Sequence, residues 1–175
     1  PITEEFENKF KIYKKSKYSL SVNSCTAALH LSLISLGLKK GDEVITTPMT
    51  FCSTINSILL VGAKPVLVDI NPDTLNIDEN MISKKINSKT KALMIVHFAG
   101  LACNMAPIMK ICKKHNLRLI EDCAHAIESK YFNKEVGNFG DAGCFSFYAT
   151  KNITTGEGGM LLTNKTKIYN RVRTM

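Results

Sequence analysis

A single lysine, Lys151, lies between an apolar aromatic segment and a loop that is rich in threonine and glycine. Upstream, a second apolar run ends on the acids Glu121 and Asp122. The carboxyl ends of strands in an open α/β sheet are where such proteins bind ligands. A lysine that can form a Schiff base and an acid that can keep a ring nitrogen protonated are what pyridoxal phosphate requires of a protein. The sequence therefore predicts a pyridoxal phosphate site.

Small and hydroxyl-bearing residues open the first full predicted helix at Ser24, Cys25 and Thr26. Free backbone N–H groups and the helix dipole make such a start a binding site for an anion, here a phosphate. Taken alone, serine and threonine are also ordinary helix caps. Ser146 and the hydroxyls around Lys151 could supply a second set of donors.

The remaining candidates each have an ordinary structural interpretation as well. Asp122 alone could be a solvated acid that caps the next turn, and His125 could be a buried histidine bonded to backbone rather than a cofactor contact. Phe51, which begins a predicted helix, could stack on a pyridine ring or belong to the core. His97, at the end of its strand, could line a substrate pocket.

Strand-like and helix-like segments alternate from residue 43 onward, which favours a mostly parallel sheet covered on both faces. The predicted strands span residues 43–47, 65–69, 91–97, 117–121, 142–148 and 160–163. The predicted helices span residues 26–36, 51–61, 78–86 and 105–115, and a last one begins at 165. The final strands follow one another directly, so the sheet is expected to be mixed there. We expect a three-layer α/β/α fold in one domain.

Composition narrows the class of protein. The chain has 175 residues, a formal net charge of +8 and 45% hydrophobic residues. Its lysines occur as scattered pairs near predicted helix ends, without interleaved aromatic residues, which argues against nucleic-acid binding. No apolar run approaches the roughly 20 residues of a membrane-spanning helix. Six cysteines without a Cys-x-x-Cys pair predict no metal site and a reducing, cytoplasmic setting.

Four segments in order along the chain closely resemble the DegT/DnrJ/StrS family. They are residues 24–31 (SCTAALHL), 42–51 (DEVITTPMTF), 121–126 (EDCAHA) and 140–160, which surrounds the lysine. That family consists of pyridoxal phosphate-dependent aminotransferases that act on keto sugars of nucleotide sugars and have the fold type I architecture of aspartate aminotransferase. The match is strong because it is ordered and covers nearly the whole chain.

The resemblance implies a role for each candidate. Lys151 is similar to the Schiff-base lysine that also carries the proton, Asp122 to the acid on the ring nitrogen, and His125 to the residue beside it. The resemblance also implies that Cys25, Thr26 and Ser146 bind the cofactor's phosphate and that Phe51 stacks on its ring. Some relatives carry histidine in place of this lysine and perform dehydration, so Lys151 favours transamination.

The family's two-domain plan runs to about twice this length. Residues 1–175 are therefore expected to be an incomplete pyridoxal phosphate-binding large domain, with the C-terminal small domain and the extreme N-terminus missing. The resemblance also implies a homodimer with a shared active site. The expected reaction moves an amino group from glutamate to a 4-keto-6-deoxy hexose or 4-keto pentose, for surface polysaccharide or lipopolysaccharide. A sugar dehydratase and a non-catalytic regulatory protein of the same fold remain alternatives.

Overall fold

A seven-stranded sheet forms the middle layer of the protein in a computed structural model that describes residues 2–175. The strands are β1 (Tyr18–Val22), β2 (Glu43–Thr46), β3 (Lys64–Leu67), β4 (Thr90–Val96), β5 (Arg118–Asp122), β6 (Lys130–Tyr131), β7 (Lys134–Glu135), β8 (Ala142–Ser146) and β9 (Gly159–Thr163). The helices are α1 (Ile2–Tyr13), α2 (Cys25–Leu36), α3 (Cys52–Leu60), α4 (Glu79–Lys85), α5 (Met105–His115) and α6 (Thr166–Arg173). Strands β6 and β7 form a separate hairpin.

The sheet is mixed, with a parallel centre and one antiparallel side. Its strand order is β1-β9-β8-β5-β4-β2-β3. Neighbouring strands run parallel from β3 through β2, β4 and β5 to β8, whereas β9 is antiparallel to both β8 and β1. The predicted mostly parallel sheet with a mixed end is confirmed. The parallel strands all direct their carboxyl ends to one edge, where polar side chains can meet.

Helices cover both faces of this sheet, so the core has two halves, and β4 contributes side chains to both. Successive side chains of a strand point to opposite faces. Ala92 and Met94 pack in the apolar cluster that contains α2 and α6, while Leu93 and Ile95 pack in the cluster that contains α4 and α5. All four side chains are fully buried. The uninterrupted apolar sequence of β4 therefore follows from burial on both sides.

The N-terminal helix packs on the antiparallel side of the sheet. The Phe10 ring lies 5.3 Å from that of Phe145 and 5.5 Å from that of Phe147, both in edge-to-face geometry. Phe6 adds a third edge contact to Phe147 at 5.1 Å. This aromatic cluster holds α1 against the strand that leads to Lys151. None of the helices that the structure describes is both long and apolar enough to cross a bilayer.

Candidate active site

A cleft of about 400 Å³ opens where the parallel strands β4, β5 and β8 end. Its wall includes all seven site residues predicted from the sequence: Cys25, Thr26, Phe51, Asp122, His125, Ser146 and Lys151. The strand ends supply His97, Asp122 and Ser146. The start of α2 supplies Cys25 and Thr26, and Phe51, His125 and Lys151 come from the segments before α3, after β5 and after β8. Residues that are distant in the sequence are thus brought together at one edge of the sheet.

Asp122 is the buried acid of the cleft. Its Oδ2 accepts a hydrogen bond from the Thr54 hydroxyl at 2.8 Å, and its Oδ1 accepts one from the Ala124 backbone N–H at 3.1 Å. Burial raises the pKa of Asp122 above its ordinary value, and the hydrogen bonds from Thr54 and Ala124 oppose that rise. Asp122 does cap the next turn, through the Ala124 N–H, but the expectation that it is solvated is wrong, because the carboxylate is buried and fixed in place. Thr54 was not identified from the sequence.

The start of α2 offers two backbone donors to the cleft. Ser24 caps the helix: its Oγ accepts from the Ala27 N–H at 3.1 Å, and its carbonyl accepts from the Ala28 N–H at 3.1 Å. Helix geometry gives the N–H groups of Cys25 and Thr26 no intrahelical acceptor. These two groups and the helix dipole can therefore bind an anion.

Gly159, the first residue of β9, lies directly against this helix start. A Cβ atom on Gly159 would lie 2.6 Å from the backbone nitrogen of Cys25 and would overlap the carbonyl carbon of Ser24. Only a residue without a side chain allows the backbone of β9 to pack this closely against the helix start. Gly159 is therefore required for the close contact between β9 and the start of α2.

Lys151 lies in the turn after β8 and is half-buried. Its backbone N–H donates to the carbonyl of Tyr148 at 2.9 Å. The Thr154 hydroxyl donates to the Phe147 carbonyl at 3.0 Å, and the Thr155 hydroxyl donates to the Glu157 carbonyl at 2.8 Å. These two hydroxyls close the loop, so the prediction that they serve as ligand donors is wrong for them.

Ser146 remains available as a donor from the end of β8. It is half-buried, and its Oγ accepts from the Tyr148 backbone N–H at 3.4 Å. A hydroxyl that accepts in this way keeps its own proton for another partner. Ser146 can therefore donate to a ligand in the cleft.

His125 lies at the exposed rim of the cleft, which excludes the interpretation as a buried histidine bonded to backbone. Partial removal from water lowers the pKa of the imidazole, the charge of Lys151 lowers it further, and Asp122 opposes both. The ring is therefore held toward its uncharged form next to the lysine and the acid.

Phe51 is 74% exposed and borders the cleft from the position just before α3. The interpretation of Phe51 as a core residue is wrong, and the helix begins one residue later than predicted. An aromatic ring that is open to solvent at a cleft can stack on a planar ligand.

His97 lines the cleft as predicted but has both ring nitrogens engaged within the protein. Its Nδ1 accepts from the Cys103 backbone N–H at 3.1 Å, so its Nε2–H donates to Oε2 of Glu121, also at 3.1 Å. The ring can contact a substrate with its edge or face but has no ring nitrogen free for it.

Glu121, His97 and Cys123 place three potential metal ligands within 4.8 Å of one another. The Glu121 carboxylate, however, also accepts three backbone hydrogen bonds of 2.7 Å from residues 137–140. Its oxygens are thereby occupied, which makes this cluster a support for the loop before β8. Through its bond to His97, Glu121 holds that part of the cleft wall in place.

Comparison with known proteins gives consistent matches. The chain is 45% identical to the spore coat polysaccharide biosynthesis protein SpsC of Bacillus subtilis, over all of this chain and 45% of SpsC. It is 46% identical to a GDP-perosamine synthase of Escherichia coli O157:H7, over 96% of this chain and 46% of that protein. The aminotransferase structure from Psychrobacter cryohalolentis superposes with a TM-score of 0.96 at 40% identity, covering 98% of this chain and 44% of that one.

The chain therefore spans a little under half the length of these relatives. The structural likeness confirms the expected fold type I architecture. The model of one family of pyridoxal phosphate-dependent aminotransferases matches residues 1–175. On that match, the protein belongs to the DegT/DnrJ/EryC1/StrS aminotransferase family.

Proposed function

We propose that the protein is a pyridoxal phosphate-dependent aminotransferase that moves an amino group from glutamate to the keto sugar of a nucleotide sugar. The observation that carries this proposal is the cleft itself, in which Lys151, the buried Asp122 and the open start of α2 face one space. An amine, an acid and an anion site are the three contacts that the aldehyde, the ring nitrogen and the phosphate of the cofactor need.

The residues present fit this cofactor. The N–H groups of Cys25 and Thr26 at the start of α2 have no intrahelical acceptor and border the cleft, so a phosphate in the cleft can bind them. The hydroxyl of Thr26 and that of Ser146 lie on the same cleft wall, and Phe51 offers an exposed ring for stacking. The cleft volume of about 400 Å³ is within the usual range for small-molecule sites.

When bound, pyridoxal phosphate supplies an electron sink for the bonds at the carbon that carries the transferred nitrogen. Lys151 holds the cofactor through its amine and then takes and returns the proton at the reacting carbon, as a general base and acid. Asp122 accepts a charge-assisted hydrogen bond from the ring nitrogen and keeps that nitrogen protonated. His125 restrains the ring from the rim of the cleft.

The names of the two relatives support the substrate class. One is called a GDP-perosamine synthase and the other a spore coat polysaccharide biosynthesis protein. We therefore assign a keto sugar on a nucleoside diphosphate as the amino acceptor, a 4-keto-6-deoxy hexose or 4-keto pentose, with the amino sugar used in surface polysaccharide such as lipopolysaccharide. We place the reaction in the cytoplasm, because the six cysteines of the protein are unpaired and thiols stay reduced in that compartment.

The large-domain assignment and the dimer belong to the same proposal. Residues 1–175 would form the cofactor-binding large domain, and a homodimer would share the active site. The coverage of a little under half of each relative supports a larger working protein.

Borohydride trapping tests the cofactor assignment. The protein is incubated with pyridoxal phosphate, reduced and digested, and the modified lysine is located by mass spectrometry. We expect one pyridoxyl adduct, on Lys151, that is lost in Lys151→Ala and retained in Lys91→Ala, which removes an exposed lysine on β4. Circular dichroism of each variant shows that the fold is intact. A folded protein without an adduct on Lys151 would reject the assignment.

Product analysis then tests the reaction. With glutamate and a nucleotide-linked keto sugar, an aminotransferase yields an amino sugar and 2-oxoglutarate. Release of ammonia without an amino sugar would identify a dehydratase instead. If Lys151→Ala left the biological activity of the protein intact, a non-catalytic role would follow.

A further inference from the structure

Two threonine hydroxyls connect the cleft to its buried acid. Thr54 on α3 is fully buried, and its hydroxyl donates to Oδ2 of Asp122 at 2.8 Å. The hydroxyl oxygen of Thr50 lies 2.6 Å from that of Thr54. Thr50 is half-buried and lines the cleft. The chain of contacts therefore runs from the cleft wall through Thr54 to the carboxylate.

The order of donors along this chain follows from counting protons. A hydroxyl carries one proton and two lone pairs. Because Thr54 gives its proton to the ionised Asp122, it can only accept from Thr50. Thr50 then donates its own hydroxyl proton to the Thr54 oxygen. All hydrogen bonds in the chain therefore point toward the carboxylate, an arrangement in which each bond strengthens the next.

We propose that Thr50 and Thr54 form a hydroxyl relay in which Thr54 is the positioning residue of Asp122 and Thr50 fixes the direction of the Thr54 hydroxyl. The relay holds the carboxylate in its ionised form. One oxygen is bound to Thr54, and the other accepts from the Ala124 N–H and, at 3.9 Å, from the Cys25 thiol. Its importance for catalysis rests on the proposed function, because only then does Asp122 face a ring nitrogen. The relay itself is a property of the protein without a ligand.

Burial disfavours the ionised form of the Asp122 carboxyl, and the relay opposes this effect. Burial raises the pKa of Asp122, and the bond from Thr54 is the largest effect that lowers it. Other titratable groups also face the carboxylate: Cys25, His97, Cys123, His125, Cys144 and Lys151. Burial raises the pKa of the three thiols well above the ordinary value, so they stay neutral near pH 7. His97 is bonded to Glu121.

The test is a titration of the Asp122 carboxyl in the ligand-free protein by ¹³C NMR, with the signal assigned through Asp122→Asn. Thr54→Val removes the hydroxyl at nearly constant shape, and we expect the midpoint to move to higher pH. Thr54→Ser keeps the hydroxyl and should titrate as the wild type does. Thr50→Val should move the midpoint in the same direction by less. Ser57→Ala removes a buried hydroxyl one turn along α3, which donates to the Thr54 carbonyl and does not contact the carboxylate, and it should leave the midpoint unchanged.

Thr54→Ala provides a second hydroxyl-free variant if the valine variant does not fold. The relay is overturned if Thr54→Ser shifts the midpoint as far as the hydroxyl-free variants do, or if Thr50→Val leaves it unchanged. A shift in Ser57→Ala as large as that in Thr54→Val would overturn it as well, because the effect would then be structural.

Binding of pyridoxal phosphate alone, followed by absorbance, links the relay to the proposed function. We expect Thr54→Val to bind it roughly tenfold more weakly, since a hydrogen bond to a charged group is worth that much or more, and Thr54→Ser to bind as the wild type does. Equal affinity in the wild type and Thr54→Val would overturn the catalytic importance of the relay. If the wild type itself bound no pyridoxal phosphate, the proposed function would fail, while the carboxyl titration would still decide the relay.

Discussion

The ammonium group of Lys14 lies 3.0 Å from Oε2 of Glu135, and the lysine side chain is fully buried. The same ammonium donates to the carbonyl of Ile127 at 2.9 Å and lies 5.1 Å from the centre of the Phe145 ring. Asn138 donates its side-chain amide to the Lys14 carbonyl at 2.5 Å. One lysine thus joins the end of α1 to the β6–β7 hairpin and to the segment that follows His125.

Removal of Lys14 should destabilise the protein strongly. Among residues 2–175, Lys14→Met leaves the buried Glu135 with one cationic partner, the exposed Lys130 at 3.2 Å, and we expect the free energy of unfolding to fall by about 3 kcal/mol. The double variant Lys14→Met/Glu135→Met should lose less than the sum of the two single losses, because the unpaired charge disappears as well. Urea unfolding of the four proteins measures both quantities.

An exposed pair in α1 provides the matched comparison. Lys9 lies 2.6 Å from Glu5, and both side chains are more than half exposed. Lys9→Met should leave the free energy of unfolding nearly unchanged, because solvent screens an exposed ion pair. Equal losses in Lys9→Met and Lys14→Met would contradict the role of burial.

Asp122→Asn should make the ligand-free protein more stable at pH 7. Burial raises the pKa of Asp122 in the folded state above its ordinary value of 3.8, so the folded state binds this proton more tightly than the unfolded state does. The ionised carboxylate therefore costs stability as the pH rises above 3.8, and the amide avoids that cost. We expect a higher melting temperature at pH 7 and a difference that shrinks as the pH is lowered toward 3.8. The exposed Asp73→Asn should show neither change.

His125 should report the charge of Lys151 in solution. Lys151 lowers the pKa of His125, so Lys151→Met should move the imidazole titration to higher pH, whereas Asp122→Asn should move it to lower pH. NMR titration of the ring C–H signals measures this, with His125→Asn providing the assignment. Lys91→Met serves as the control because that lysine is exposed on β4 and does not line the cleft. An unchanged titration in Lys151→Met would mean that the two side chains are not neighbours in solution.

Two adjacent glycines should respond differently to the same substitution. In Gly159→Ala the new Cβ would overlap the backbone of Ser24 and Cys25, and we expect a loss of about 2–3 kcal/mol in the free energy of unfolding together with weaker phosphate binding. In Gly158→Ala the nearest atom is the Thr155 hydroxyl, which can rotate away with the loss of one exposed hydrogen bond to Glu157, so the loss should stay below about 1 kcal/mol. Thermal unfolding and a phosphate titration compare the two. Equal effects would show that the helix start can shift to make room.

The parallel half of the sheet could be predicted because its strands are buried on both faces. The apolar run in β4 (Thr90–Val96) and the exact match of α5 to residues 105–115 leave little doubt about element type. The N-terminal β1, Tyr-Ser-Leu-Ser-Val, was missed although its alternation of polar and apolar residues is a strand signal, because five residues give only a short pattern and the pairing that fixes the strand is with the distant β9. The β6–β7 hairpin has two residues per strand, too few for a periodic signal.

In the candidate site, the sequence indicated residues with distinctive chemistry and missed those that support them. Lys151 and Asp122 stood out because a lone amine and a strand-end acid are uncommon companions. Thr54 and Glu121 act through contacts with residues far away in the chain, which no local pattern reveals. Thr154 and Thr155 were misjudged because a hydroxyl in a loop looks the same whether it bonds a ligand or the backbone.

The antiparallel pairing of β1 with β9 has a consequence for synthesis on the ribosome. Leu20 pairs with Leu161, so β1 has to wait until β9 has emerged. Such distant pairings form late in folding because loop closure costs entropy before the contact stabilises anything. The same pairing brings Gly159 to the start of α2, where the phosphate would bind. A nascent chain that stops short of β9 therefore lacks the strand that packs against the start of α2. Under the proposed function, cofactor binding would follow the emergence of β9 from the ribosome.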